Sequence, residues 1–335
     1  MKNVNLAILG ATGAVGTEML KVLAERNFPV GELLLLADSN DAGKEIVFQS
    51  KKYVVQEAKK DSFSGVEVLF VAVSDAVSKI FTPEAVRAGA VVIDNSNAYR
   101  LEKDVPLVVP EVNGADVACH KGIIANPNCS TIIALMAVNA IYKRSRIVRM
   151  TASTYQAVSG AGILGISELQ QQARQVLDEE NIKPSVFQHQ IAFNVIPHID
   201  VFQPNGYTKE EMKLVSESRK ILHDDDIKIS ATCVRVPVFR SHSEAISVET
   251  AEKISAEEAK ELIKAAPGVK LVDDVANNVY PMPKDTGDQD LVYVGRIRED
   301  ISAKNSLVLW CCGDQIRKGA ATNAVQIAEL LQKEI

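Results

Sequence analysis

Compact apolar runs fall at residues 4–9, 33–37, 66–73, 90–93 and 123–125, and none alternates apolar with polar positions. Runs of this kind mark parallel strands covered on both faces. Helical patterns over residues 15–26 and 75–88 lie between them. This succession predicts an α/β fold that opens with a doubly wound, Rossmann-type domain. The pattern changes after residue 129. Ile132-Ile133-Ala134-Leu135-Met136-Ala137-Val138 reads as a buried helix, and long strand-like stretches follow at 148–158, 229–239, 243–251 and 291–298. Helical patterns at 165–179, 209–222 and 256–266 punctuate them. Such grouping predicts an α+β second domain with an antiparallel or mixed sheet. A last helical pattern, from Gly319 through Asn323 to Gln332, is expected to return to the first domain. The expected division is 1–128 with 315–335 for dinucleotide binding, and 129–314 for catalysis.

A chain of 335 residues is long enough for two such domains. Its net charge of −6 argues against a nucleic-acid partner, and any anionic substrate must be held by local basic groups against that field. No apolar stretch approaches membrane-spanning length, and Met1-Lys2-Asn3 leads into a strand pattern without a signal region. Five cysteines, at 119, 129, 233, 311 and 312, are too few and too irregular for a disulfide framework or a tetrahedral zinc site. A cytoplasmic protein without a metal centre is expected.

The first strand runs into Gly10-Ala11-Thr12-Gly13-Ala14-Val15-Gly16 and then a helix. Glycines there permit a tight turn and let the backbone approach a pyrophosphate, which rests on the helix N-terminus. A purely structural βα turn is the plainer reading. The second strand ends at Ala37-Asp38-Ser39-Asn40-Asp41-Ala42-Gly43-Lys44, where an adenosine ribose would be read. A 2′-phosphate calls for an arginine or a positive surround, whereas a free 2′-hydroxyl suits a carboxylate. This loop has two aspartates and no arginine.

Cys129 stands in Asn126-Pro127-Asn128-Cys129-Ser130-Thr131, at the start of the buried helix. A thiol in a first helical turn faces unpaired backbone N–H groups and the positive end of the macrodipole, which favours thiolate. The alternative is a small buried hydrophobe. A thiolate beside a nicotinamide site suggests acyl or aldehyde oxidoreduction through a thioester. Of five histidines, His242 lies in a polar link between apolar strands, Arg235-Val236-Pro237-Val238-Phe239-Arg240-Ser241-His242-Ser243-Glu244. A histidine in such a loop is either solvated or an acid/base; its arginine neighbours and the following carboxylate make the second reading worth pursuing.

Together these motifs resemble the aspartate-β-semialdehyde dehydrogenase family. The resemblance also runs through Ser96-Asn97-Ala98-Tyr99-Arg100, Tyr155 to Gly162, Gly206 to Lys213, and Gly319 to Asn323. It implies a glyceraldehyde-3-phosphate-dehydrogenase-like architecture and a homodimer formed through the second domain. It makes Cys129 the nucleophile, His242 the acid/base, and Gln156 the residue that orients substrate or the thiolate–imidazole pair. Arg235 would clamp the substrate α-carboxylate, a task suited to its planar fork. Arg100, Lys213 and Asn128 would hold phosphate, and Glu210 the substrate ammonium. Without the resemblance, Glu210 and Lys213 read as a solvated i,i+3 ion pair. Gly10, Thr12, Gly13, Ala14, Val15, Gly16, Ser39, Asn40, Asp41, Ser159, Gly160 and Asn323 would contact the cofactor. The family's usual cofactor is NADP. Many members have an arginine and a serine where this chain has Asn40 and Asp41, which leaves NAD plausible.

The implied reaction is reductive dephosphorylation of L-4-aspartyl phosphate to L-aspartate 4-semialdehyde, with release of phosphate, on the route to lysine, diaminopimelate, threonine and methionine. The nearest alternative is an N-acetyl-γ-glutamyl-phosphate reductase-like enzyme, whose acylated amine would not call for Glu210. A catalytically silent nucleotide-binding relative is the other.

Overall fold

A computed structural model describes residues 3–334; Met1 and Lys2, which open the first strand pattern, lie outside the described residues. The chain divides into two compact units, one comprising residues up to Asn128 together with those from Ala320 onward, the other Cys129–Gly319.

The first unit contains β1 (Val4–Leu9), α1 (Ala14–Glu25), β2 (Val30–Ala37), β3 (Glu45–Phe48), β4 (Lys51–Val54), β5 (Gln56–Glu57), β6 (Val68–Val71), α2 (Asp75–Arg87), β7 (Val91–Asp94), α3 (Pro110–Asn113) and β8 (Ile123–Ala125). Six strands form a parallel sheet in the order β5-β2-β1-β6-β7-β8. Along β1, Leu6 and Ile8 join one hydrophobic cluster with α1 and the C-terminal helix (Thr322–Glu334), while Ala7 and Leu9 join the opposite cluster with α2. Covering both faces explains the unbroken apolar run. Arg26 donates twice to Glu329, at 2.7 Å each, and so ties the C-terminal helix to the end of α1. The chain leaves β1 on one side for β2 and on the other for β6. Its glycine loop therefore opens at the switch point, where α/β sheets bind ligands. The β3–β4 hairpin has no counterpart in the apolar pattern, because its strands are short and half exposed.

The second unit contains α4 (Cys129–Arg144), β9 (Ile147–Gln156), α5 (Gly162–Leu177), α6 (Lys209–Leu222), β10 (Lys228–Arg235), β11 (His242–Thr250), α7 (Ala256–Lys264), β12 (Val269–Leu271), α8 (Pro283–Thr286), β13 (Val292–Glu299) and β14 (Ser306–Gly313). The sheet order is β10-β9-β11-β14-β13-β12 and the sheet is mixed: the outer pairs are parallel, the inner ones antiparallel. Helix α4 is buried from Ser130 to Asn139, as a helix apolar on all sides must be. Gln156 and Arg235 are register partners at the ends of β9 and β10, and β11 begins antiparallel at His242. Three polar side chains therefore lie at one end of three adjacent strands. Residues 315–319 belong to this unit, tied to it by Gln315, whose side-chain N–H donates to Ser159.

Candidate active site

Cys129 is the first residue of α4 and half-buried, with its Sγ 3.4 Å from Nε2 of His242. The imidazole is fully buried, and its Nδ1 accepts a 3.0 Å hydrogen bond from the Ala157 backbone N–H. With Nδ1 occupied as an acceptor, the proton of a neutral ring is on Nε2, facing the sulfur. Burial, with the Arg235 charge nearby, pushes the imidazole down to about 3. His242 is therefore neutral at physiological pH and presents an N–H to Cys129.

Gln156 is buried; its carbonyl accepts from Thr154 Oγ1 at 3.0 Å, which fixes the amide so that Nε2 donates to Glu210 Oε1 at 3.1 Å. Gln156 Nε2 also lies 3.4 Å from His242 Nε2. Glu210 Oε2 accepts from Lys213 Nζ at 2.9 Å. The i,i+3 pair exists, but its side chains are only 8% and 16% exposed, unlike a solvated surface pair. A capping box sets the rotation of α6: Thr208 Oγ1 accepts from the Glu211 N–H, and Glu211 accepts from the Thr208 N–H. The second oxygen of Glu211 accepts from the Cys233 N–H, which fastens the helix to β10. The cap thus turns Glu210 and Lys213 toward Gln156.

Arg235 is buried and donates from one terminal nitrogen to the Ala157 carbonyl at 2.7 Å, with its guanidinium over the Phe187 ring at 5.8 Å. A Cβ at Gly160 would come within 2.7 Å of Arg235 and 3.4 Å of the His242 ring, so this position packs against both side chains. Neighbouring Ser159 accepts from Gln315. Gln315 also accepts from the Ser241 N–H at 2.9 Å. Ser241 has φ of +74°, an uncommon conformation for a non-glycine residue, immediately before His242. Sequence reasoning missed Gln315 and Ser241; neither carries a local signal of its role. Glu244, the carboxylate following His242, is fully buried, and burial together with the Glu210 charge pushes it well above the usual carboxylate range. Gly319 is a further unpredicted neighbour: a Cβ there would lie 2.9 Å from that of Cys129.

The other predicted residues lie in the first unit. Gly10 has φ of +89°, and a Cβ there would meet the Ala72 carbonyl at 2.4 Å. A Cβ at Gly16 would meet the Gly10 carbonyl at 2.1 Å, so its absence lets α1 close on the strand. Gly13 is the N-cap of α1, and Ala14 and Val15 form its first turn without an acidic residue. That bare N-terminus suits a pyrophosphate. Ser39 and Asn40 are exposed in the turn after β2. Asp38 folds back to accept the N–H groups of Asn40 and Asp41, at 2.9 and 3.2 Å. Asp41 accepts from Lys44 and from Thr12, and these bonds hold its carboxyl below the usual range. Arg100 is buried and donates to the Asn95 carbonyl at 2.8 Å. Asn128 is buried and directly precedes Cys129. The Asn323 amide donates to Val108 and Asn126, at 2.9 and 2.7 Å.

Two family models match the chain: a semialdehyde dehydrogenase NAD binding domain over residues 5–120, and a semialdehyde dehydrogenase dimerisation domain over residues 138–318. An aspartate-semialdehyde dehydrogenase of Aquifex aeolicus is 54% identical over 98% of each chain. The chain belongs to the aspartate-semialdehyde dehydrogenase family. It is therefore an oxidoreductase of amino-acid biosynthesis, with the expected α/β architecture. Another family member, from Bacillus subtilis, is 46% identical over 99% of this chain and 98% of its own. The structure of aspartate semialdehyde dehydrogenase II from Vibrio cholerae, complexed with ASA, superposes with a TM-score of 0.97 at 47% identity, covering 99% of both chains. The Candida albicans enzyme with NADP superposes at 0.77 with 27% identity, again over 99% of both. Among the described residues, no helix is long and apolar enough to cross a membrane.

Proposed function

We propose that this chain converts L-4-aspartyl phosphate to L-aspartate 4-semialdehyde and phosphate through a thioester on Cys129, using NADP(H). The observation that carries the reading is the 3.4 Å approach of Cys129 Sγ to the Nε2–H of a neutral, buried His242. A thiolate that accepts this hydrogen bond attacks the acyl phosphate carbonyl; the C–O bond to phosphate breaks and the thioester forms. NADPH, when bound, supplies the hydride that reduces the thioester. Collapse of the resulting alkoxide breaks the C–S bond and returns the thiolate to His242. Phosphate departs, and the proton consumed overall resides on it. Arg235 pairs with the α-carboxylate and Glu210 with the free ammonium, while Lys213, Arg100 and Asn128 hold the phosphate. A buried carboxylate that accepts from Gln156 and Lys213 favours a free amine over an acylated one, against the N-acetyl-γ-glutamyl-phosphate alternative. Gly10, Thr12, Gly13, Ala14, Val15, Gly16, Ser39, Asn40, Asp41, Ser159, Gly160 and Asn323 serve the cofactor.

The dimerisation-domain match and the half-exposed aromatics Tyr155 and Phe239 support a homodimer through the second unit. The cytoplasm is the compartment that suits five free thiols. The deciding experiment is an initial-rate assay of semialdehyde oxidation in phosphate, run with NADP and with NAD. Phosphate-dependent reduction of either nucleotide is expected; no turnover with either would overturn the reading.

A further inference from the structure

Lys213 Nζ has three protons, and two carboxylates already face it: Glu210 at 2.9 Å and Asp200 at 3.1 Å. Burial pulls the ammonium down, but the two carboxylates outweigh it and the net shift is upward, so Lys213 is charged. One ammonium between two carboxylates leaves a net negative position. A phosphate dianion arriving there meets like charge at hydrogen-bond range.

The two carboxylates are not equally committed. Glu210 sits three residues before Lys213 on α6, and its other oxygen accepts from Gln156. Asp200 belongs to the irregular segment before the helix, and its side chain is 28% exposed against 8% for Glu210. Its backbone has φ of +67°, and its second oxygen accepts from the Val201 N–H at 2.8 Å. The Val201 carbonyl in turn accepts from the Lys209 N–H at 2.8 Å, at the start of α6. The backbone is thus tethered to the helix, and the partly exposed carboxylate borders water.

We propose that Asp200 is the resident anion of the phosphate position: it occupies Lys213 until inorganic phosphate or the phosphoryl group of the substrate displaces it, and so sets the apparent affinity for phosphate. A dianion gains over a single carboxylate in this exchange, and a monoanion gains little, so Asp200 also selects for doubly charged anions. The inference rests on the reading of Lys213 as a phosphate-holding residue.

The test is Asp200→Asn, which keeps an acceptor for the Val201 N–H and tolerates positive φ. In the oxidation direction, KM for phosphate should fall about five- to tenfold, while KM for the semialdehyde stays within about twofold. Calorimetric titration with inorganic phosphate should show the same tightening without turnover. Asp200→Ser, which also keeps the acceptor and removes the charge, should behave alike should the Asn variant fold poorly. An unchanged or raised phosphate KM in a folded variant overturns the proposal. Lys213→Ala separates the two layers. A raised phosphate KM there, with no gain in Asp200→Asn, removes only the role of Asp200; an unchanged KM removes the reading of Lys213 and the proposal with it.

Discussion

The Ala157 N–H donates to His242 Nδ1 at 3.0 Å, and this single bond decides what His242 can offer Cys129. A ring that accepts at Nδ1 is neutral with its proton on Nε2; protonating Nδ1 would set two N–H groups against each other. His242 thus faces the Cys129 sulfur as a neutral donor. Removing the donor with His242→Ala should lower kcat roughly 10²–10⁴-fold with little change in KM. A variant altered only in KM would contradict the assignment.

Burial of the same ring, with Arg235 nearby, predicts a stability signature. The His242 imidazole is held down to about 3 in the folded protein, against about 6.5 in an unfolded chain. Between these values the unfolded chain binds a proton that the folded one does not. The contribution is therefore present above the unfolded value and is lost as pH falls through that window. Urea unfolding of wild type between pH 7 and 5 should show a steeper loss than His242→Gln, approaching about 1.4 kcal/mol per pH unit. Parallel pH dependences would disprove it.

Cys129→Ala should abolish turnover while preserving fold and nucleotide binding, because only the covalent step is removed. Wild type incubated with aspartyl phosphate should carry a thioester adduct by mass spectrometry, and the variant none. Substantial activity in the variant would refute the thioester route.

Arg235→Lys should raise KM for the semialdehyde about 10- to 100-fold, since an ammonium cannot reproduce the bidentate fork. It would also lose the position over Phe187 while competing for the Ala157 carbonyl. Steady-state kinetics at saturating cofactor reads this directly, and a KM within twofold of wild type counts against the clamp.

Gln315 holds Ser159 and Ser241 at once, and Ser241 directly precedes His242. Gln315→Ala leaves a buried N–H without its acceptor and should lower kcat about tenfold, with a stability loss of about 1–3 kcal/mol. Gln315→Glu retains the acceptor for the Ser241 N–H and should recover part of kcat. Equal loss in both variants would point to packing alone.

The proposed cofactor preference rests on Asp41, whose carboxylate accepts from Lys44 and Thr12. Wild type should accept NADP yet use NAD within about 100-fold in kcat/KM. Asn40→Arg with Asp41→Ser adds a guanidinium and releases Lys44 for a 2′-phosphate, and should give a clear NADP preference. An unchanged ratio in the double variant would show that the ribose loop does not set the choice.

Apolar patterning alone determined the element types: two-faced runs became the parallel strands around β1, and the all-apolar stretch after Cys129 became the buried helix α4. Burial on both faces imposes that composition, so it can be read backwards. The motifs around Cys129, Gln156, Glu210, Lys213, Arg235 and His242 were legible too, each as a separate piece of chain. Their convergence was not. Gln156 and Arg235 meet because β9 and β10 pair in one register, and α6 presents Glu210 and Lys213 because Glu211 fastens it to β10. Nor could the sequence reveal the His242 tautomer, the left-handed Ser241 or the Asp200–Lys213 bond, since each depends on a partner distant along the chain. Local periodicity records which surfaces are buried; only the tertiary structure decides which polar atoms remain to face one another there.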